Sequence, residues 1–534
     1  MKRARLRLKI TALLVMLCMM LGACDRYAGS TASYDIDDNY RNFYEVFVYS
    51  FYDSNGDMVG DLKGVEEKLD YIDNLGCDGI YLMPIFQSPS YSKFDVSDYY
   101  SIDFQYGTMD DYASLVNKCH DKNMRVIMDL VINNTSSEHD WFREASDYLR
   151  SLDEGQKPDK NACKYVDYYN FSDRKIGSNW YKLANSNYFY EASYGPGLPD
   201  LRLASHSVKN ELEQIVKFWM DNGIDGFRID TPVHFAENDI EFNTGALNWL
   251  YNYCVEYNPD IYFITSVDKS EARIREYYSS DIQSIMDLSM SDNEGDYAMA
   301  AMGKETAQKF VTKMAANEKM FAAARSGYIN AALLSDHDTS RVANMLRSDE
   351  DAIKYAYALL STATGSTITY YGDEIGAKSK GNKDDNRKLP MYWSDKNKKG
   401  MCMVRVDADR DVEQTFGPVD SQYSSKESIL TFYRRCMAVR HKYPQIARGD
   451  TVILDELTDG DIAVISRTWD DKTIYIVYNT GDSLIAMDLE RISDVLDIDG
   501  IKVTETLCPS GDVATKTKDV INVPAQSVVY MVEK

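Results

Sequence analysis

Short apolar runs alternate along the chain with longer segments whose apolar residues recur every three or four positions. The runs are YEVFVYSF (44–51), DGIYLMP (78–84), RVIMDLVIN (125–133), IDGFRID (224–230), IYFITSV (261–267), SIMDLSM (284–290), AALLSDHD (331–338) and STITYYG (366–372). Each reads as a strand. Between them, VEEKLDYIDNLG sets Val65, Leu69, Ile72 and Leu75 at helical spacing and stops at Gly76. VKNELEQIVKFWMDNG does the same with Val208, Leu212, Ile215 and Trp219 before an Asn-Gly stop. Eight strands, mostly separated by helices, predict an α/β fold of the parallel (β/α)8 TIM-barrel type.

Two stretches break the alternation. Residues 134–205 are polar and rich in Tyr, Asn and Ser. That is too long for an ordinary connection, so an inserted subdomain is expected after strand three, on the C-terminal face of the barrel. After a helix-like run at 427–442, TVILDEL, IAVISRTW, TIYIVYN, LIAMDL, VTETLC and INVPAQSVVYMVE are short alternating runs parted by DG, DD and GD turns. The chain thus divides into a barrel domain at 43–446 and an antiparallel β-sandwich at 447–534.

The N-terminus reads as a targeting segment. MKRARLRLK is a basic n-region, ITALLVMLCMM an apolar h-region, and LGAC (21–24) resembles a bacterial lipoprotein cleavage box with Cys24 as the lipidated residue. The apolar run is shorter than the ~20 residues a spanning helix needs. The expectation is a signal peptide at 1–24, a polar linker at 25–42, and an exported protein tethered to a membrane through its lipid alone. Net charge is −25, which repels nucleic acid and anionic headgroups. Forty tyrosines supply aromatic faces of the kind that suit sugar rings. Of nine cysteines, none forms a CxxC pair, so redox or metal use of thiols is not expected.

In a barrel of this kind, polar residues at C-terminal strand ends are the catalytic candidates. GIDGFRIDTPVH (223–234) has an apolar body in Ile224, Phe227 and Ile229, yet closes on Arg228, Asp230 and His234. Asp129, Asn133 and Asn134 end strand three, and Asp336, His337 and Asp338 end strand seven. One such cluster could be an ion pair with no chemistry; three on one barrel mouth point to a site.

These segments resemble the α-amylase family of retaining glycoside hydrolases over roughly residues 43–534. DLVINNTS (129–136), GFRIDTPVH (226–234), LLSDHDTSR (333–341) and LPDL (198–201) are similar to four of its motifs, and YYGDEIG, KLPMYW and NGDMVGDLKGV also fit. The resemblance implies Asp230 as a nucleophile that forms a covalent glycosyl ester. Arg228 would keep that carboxylate ionised. His337 and Asp338 would hold the sugar in the −1 subsite, Asp338 also stabilising the transition state. His234 would contact the leaving-group side. Phe94 would take the place of the usual tyrosine platform, with Asp95 beside it, and Asn134 and Arg341 complete the implied substrate contacts.

One position departs from the pattern. The general-acid glutamate should end strand five, but in DIYFITSVDKS (260–270) that place falls on Ser266, with Asp268 and Glu271 further along. A serine hydroxyl cannot protonate a departing glycosidic oxygen at neutral pH. Asn134 also replaces a histidine, and Asp336 an asparagine. Three readings follow. The chain is an α-glucan hydrolase of reduced activity, a silent binder of starch or maltooligosaccharides, or a transglycosylase, which the absent acid disfavours as much as the first. Separately, DSNGDMVGD (53–61) spaces Asp53, Asn55, Asp57, the Val59 carbonyl and Asp61 as oxygen ligands around a turn. Family members with this motif bind Ca²⁺ there, so a structural Ca²⁺ is expected.

Overall fold

The computed structural model describes residues 38–533 apart from 382, 411 and 493–497. Cys24, the signal peptide and most of the linker lie outside the described residues. Eight parallel strands make the central sheet: Asn42–Val46, Gly79–Leu82, Arg125–Leu130, Gly226–Ile229, Tyr262–Thr265, Ser284–Ile285, Ala331–Leu333 and Ser366–Tyr370. Neighbours pair in chain order, and strand eight returns to strand one. A parallel bridge between Met286 and Ala331 closes the ring between strands six and seven. Phe43, Tyr81, Ile127, Tyr262, Ile264, Leu333 and Ile368 fill the interior as one packed cluster. The barrel is therefore a core with chemistry only at its rim.

The helices start and stop where side chains dictate. His206–Asp221 begins at Ser205, whose hydroxyl accepts from the Val208 N–H at 3.5 Å. Its buried stripe is Val208, Leu212, Ile215, Val216 and Trp219, and Trp219 Nε1 donates to the Tyr99 carbonyl at 2.9 Å. It ends at Asn222 and Gly223, the glycine at φ +89°, where a side chain would be strained. Strand four opens on Gly226 for a steric reason. A Cβ there would sit 2.3 Å from the Tyr262 carbonyl oxygen. Gly226→Ala is expected to push strands four and five apart and cost about 1–3 kcal/mol, as overpacked cores do, measurable by urea unfolding.

The long segment after strand three holds the helix Asp140–Ser151 and a small antiparallel sheet of Phe171–Ser172, Phe189–Glu191 and Trp180–Lys182. A bridge from Asn134 to Asp200 ties it to the end of strand three, and a second, from Tyr169 to Leu201, joins two parts of the segment itself. At the C-terminus a five-stranded and a three-stranded antiparallel sheet face each other across Val464, Val477, Met487, Ile521, Val523 and Val529. Arg467 stitches this sandwich to the barrel, donating to the Ile446 carbonyl at 2.7 Å and pairing with Glu318 at 3.0 Å. The cysteines from Cys77 onward are free thiols, all buried but the half-buried Cys163. Among the described residues no helix is long and apolar enough to cross a membrane.

Candidate active site

Strand register assembles the centre of the site. Arg228 on strand four lies abreast of Asp129 on strand three, and Ile229 abreast of Thr265 on strand five. The next residues, Asp230 and Ser266, therefore leave the sheet side by side at its C-terminal rim. Arg228 is buried and bridges them. One guanidinium nitrogen donates to Asp129 at 2.7 Å and to Asp230 at 2.6 Å; the other terminal nitrogen donates to the Ser266 hydroxyl at 2.6 Å. Asp129 is locked from the far side by the Tyr81 hydroxyl at 2.8 Å. Burial raises the Asp129 carboxyl and Arg228 lowers it, while burial opposes but does not overcome the carboxylates that keep Arg228 charged.

A second cluster faces this one from strands one and seven. His337 is buried, with Nδ1 2.6 Å from Glu45 and Nε2 3.3 Å from Asp338. Desolvation favours a neutral imidazole, but Asp338 and Glu45 together push its pKa well up, which favours the protonated ring. Burial pushes Glu45 up to about 7 against the lowering effect of His337. Burial also acts on Asp338, yet the His337 charge and Arg228 hold its carboxyl below the usual range. Asp338 reaches solvent, with 60% of its side chain exposed, and is placed to meet a ligand. Phe94 stacks on His337, ring centres 5.5 Å apart, and its carbonyl accepts from Asn134 Nδ2 at 3.1 Å.

The sign of the Glu45 effect makes a prediction. Its charge helps raise the His337 pKa, so Glu45→Gln should lower it, and His337 should lose its proton at a lower pH than in the parent. Histidine resonances followed by NMR across pH check this. An unchanged His337 titration would show that Asp338 alone holds the proton.

Of the other implied contacts, His234 is exposed after the short turn Pro232–His234. Asp95 accepts from the Ser88 and Ser90 hydroxyls and shapes its own loop. Arg341 does not reach out to a ligand. It is buried, donates to the Arg387 carbonyl at 3.0 Å, pairs with Asp373 at 3.1 Å and sits on the Tyr370 ring. Its role in this fold is to anchor the segment after strand eight. Asp336 caps its own turn through the N–H groups of Asp338 and Thr339 at 3.0 and 2.9 Å.

The acids nearest to Ser266 in sequence are turned elsewhere. Asp268 is exposed and accepts from the Ser270 N–H at 2.7 Å. Glu271 pairs with Lys313, and Asp292, from the segment after strand six, with Lys269. Among the described residues only Asp129 shares a hydrogen-bonding group with Asp230 as a second carboxylate, and Asp129 is sealed beneath Arg228.

Two residues near the site were not singled out from the sequence. Glu45 carried a signal, being a charge inside an otherwise apolar strand. Tyr194 carried none, because it lies in the polar insertion and reaches the rim only through the fold. In the 53–61 loop, Asp53, Asn55, Asp57 and Asp61 accept N–H groups of their own turn, at 2.6–3.1 Å. Asp53 and Asp61 are buried and the Asp53 charge raises Asp61, after burial itself. Among the described residues none of Asp53, Asp57 or Asp61 pairs with Lys or Arg, and no three acidic, His or Cys side chains form a ready metal cluster. The loop instead offers carboxylate, amide and carbonyl oxygens, a donor set that fits a hard cation.

Known proteins match this architecture over most of its length. The catalytic-domain profile described as "Alpha amylase, catalytic domain" matches residues 45–449. "Alpha-amylase 3" of Dictyoglomus thermophilum is 32% identical over 446 residues, covering 82% of this chain and 85% of that protein. "Oligo-1,6-glucosidase" of Bacillus cereus is 25% identical, covering 82% of this chain and 89% of its own. Among solved structures, "Eubacterium rectale Amy13B" superposes with a TM-score of 0.89 at 35% identity, covering 93% of this chain and 96% of that one. With the barrel, the rim and these matches together, the chain belongs to the α-amylase family.

Proposed function

We propose that this protein binds α-1,4-glucans, from starch or maltooligosaccharides, and keeps the nucleophile of a retaining glycoside hydrolase but not its proton donor. The observation that carries this reading is Ser266. Its hydroxyl accepts from Arg228 at 2.6 Å, the same guanidinium that holds Asp230, at the position that the resemblance gives to the second carboxyl of a retaining pair. The printed names of the relatives, an α-amylase and an oligo-1,6-glucosidase, support α-glucosidic substrates.

The residues then divide the work. Asp230, hydrogen-bonded to Arg228 at 2.6 Å, attacks the anomeric carbon, and the C1–oxygen bond breaks as the ester forms. Asp338 and His337 hold the hydroxyls of the same sugar, which rests on Phe94. On this reading no carboxyl among the described residues hands over a proton on the leaving side, so an alkoxide would have to depart unaided. General acid catalysis contributes ~10²–10⁴-fold, so starch hydrolysis should be slow by at least that factor. Binding is a separate matter, since hydroxyl contacts do not depend on proton transfer. On this reading the chain acts as a glucan binder, and affinity electrophoresis in amylose gels tests it: retarded migration without loss of polymer is expected. Rapid digestion of the gel would overturn it.

Two further parts of the reading rest on sequence and donor chemistry. The basic and apolar N-terminal segment ending in LGAC (21–24) supports export and tethering through Cys24. The 53–61 loop supports a calcium ion held by Asp53, Asn55, Asp57, the Val59 carbonyl and Asp61. When bound, calcium supplies positive charge that offsets crowded carboxylates and braces the turn after strand one. Chelation with EGTA should lower the melting temperature, and added Ca²⁺ at 100 times Kd should restore about 2.7 kcal/mol. Asp57→Ala should erase the difference; a melting curve indifferent to EGTA would remove calcium from the account.

A further inference from the structure

The loop that carries Phe94 is held by a buried charge that the catalytic assignments leave unused. It connects the strands of a short hairpin, Phe86–Gln87 and Asp98–Ile102. The residue before Phe94 is Lys93, at φ +65°, a left-handed conformation that glycine adopts freely and a lysine only under strain. Lys93 is nevertheless only 1% exposed. Its ammonium donates to Asp103 at 2.8 Å and to the Gln105 side-chain oxygen at 3.0 Å, and lies 5.4 Å from the centre of the Tyr106 ring.

Asp103, wholly buried, passes the restraint back into the loop. It accepts the Ser88 N–H at 3.2 Å and the Gln105 N–H at 3.0 Å. The Ser88 hydroxyl in turn donates to Asp95, the residue after Phe94. The residues on either side of Phe94 thus converge on Ser88, Lys93 through Asp103 and Asp95 directly. Asn134 takes the Phe94 carbonyl at 3.1 Å. These ties fix the backbone beneath the ring that stacks on His337.

A buried ion pair adds little net stability, because desolvation of both charges offsets their attraction. Backbone strain persists only where the surroundings over-determine it. Both costs fall on one residue, next to the ring on which the attacked sugar rests in the reading above. Lys93 is sealed from solvent with its ammonium engaged, so it does not meet the sugar itself. We propose that Lys93 is a positioning residue, whose ion pair with Asp103 sets the loop so that Phe94 lies against His337 and presents its face to the glucose ring. This rests on the glucan-binding reading and deepens it.

The test reads Phe94 through its neighbour. In NMR spectra of the full chain, the His337 ring protons, identified by their loss in His337→Asn, carry the ring-current shift of the stacked Phe94. Phe94→Ala shows where they lie without it. Lys93→Met should move them most of the way to that position. It should also weaken 1-deoxynojirimycin, a glucose-sized cation that fills the nucleophile side, roughly tenfold by titration calorimetry. Lys93→Met leaves the Asp103 carboxylate buried without its cation, so Lys93→Met combined with Asp103→Asn is measured beside it. The double variant should regain stability in urea, but neither the His337 shift nor the affinity. Recovery of all three would make the ion pair a brace for the fold alone and overturn the proposal, as would a His337 signal unmoved in both variants. If the parent does not bind 1-deoxynojirimycin, the glucan reading fails, while the His337 signal still decides whether Lys93 places Phe94.

Discussion

Ser266→Glu is expected to raise hydrolysis of maltooligosaccharides by about 10²–10⁴-fold. The substitution places a carboxyl beside Asp230 on the adjoining strand, at a position only 4% exposed. Such burial raises a carboxyl pKa, which a proton donor needs, while the nearby Arg228 opposes the rise. The same group would then serve as base for the water that releases the ester, so both half-reactions gain. The measurement is kcat/KM on maltoheptaose for the parent and the variant. A variant no faster than its parent would mean that the rest of the rim is also disabled. Asn134, whose side chain is spent on the Phe94 carbonyl instead of a sugar hydroxyl, would be the next position to restore.

The second large effect concerns the ester itself. With α-glucosyl fluoride, whose leaving group needs little protonation, the parent protein is expected to accumulate a glucosyl ester on Asp230. Formation bypasses the missing acid, but breakdown still lacks the missing base, so the intermediate should persist. Peptic digestion and mass spectrometry would find the added glucosyl unit in the peptide spanning residues 226–234. Asp230→Asn should carry none. Ser266→Glu should show much less ester at steady state, because water then attacks with assistance. An unlabelled parent would show that Asp230, although bonded to Arg228 at 2.6 Å, is not a working nucleophile.

The barrel was legible because its signal is physical and repeated. A strand buried on both faces must be apolar throughout, and eight such runs with amphipathic helices between them leave few alternatives. The predicted runs ended late. SIMDLSM reads as seven residues but forms strand only over Ser284–Ile285, with Met286 in a single bridge, and AALLSDHD only over Ala331–Leu333, with Asp336, His337 and Asp338 lying beyond the sheet. Arg228 and Asp230 were legible for the same reason: charges closing an apolar run have to be accounted for. Arg341 shows the limit of motif reading. Its motif placed it near the substrate, while the fold spends it on Arg387, Asp373 and Tyr370. Glu45 was partly legible as a charge in a buried strand. Its partner His337 lies 292 residues away, a distance that only the closed ring bridges. Tyr194 was out of reach, since nothing in a polar insertion says which of its many tyrosines will lean over the barrel.

The central claim is that the barrel rim can attack an α-glucoside but cannot help its sugar leave. The most direct measurement is the ratio of kcat/KM for α-maltosyl fluoride to that for maltotriose, on the unmodified protein. The account predicts ready turnover or trapping of the fluoride and next to none of the trisaccharide, with Ser266→Glu collapsing the difference. Comparable, rapid cleavage of both by the unmodified protein would contradict it, for some other group would then be delivering the proton.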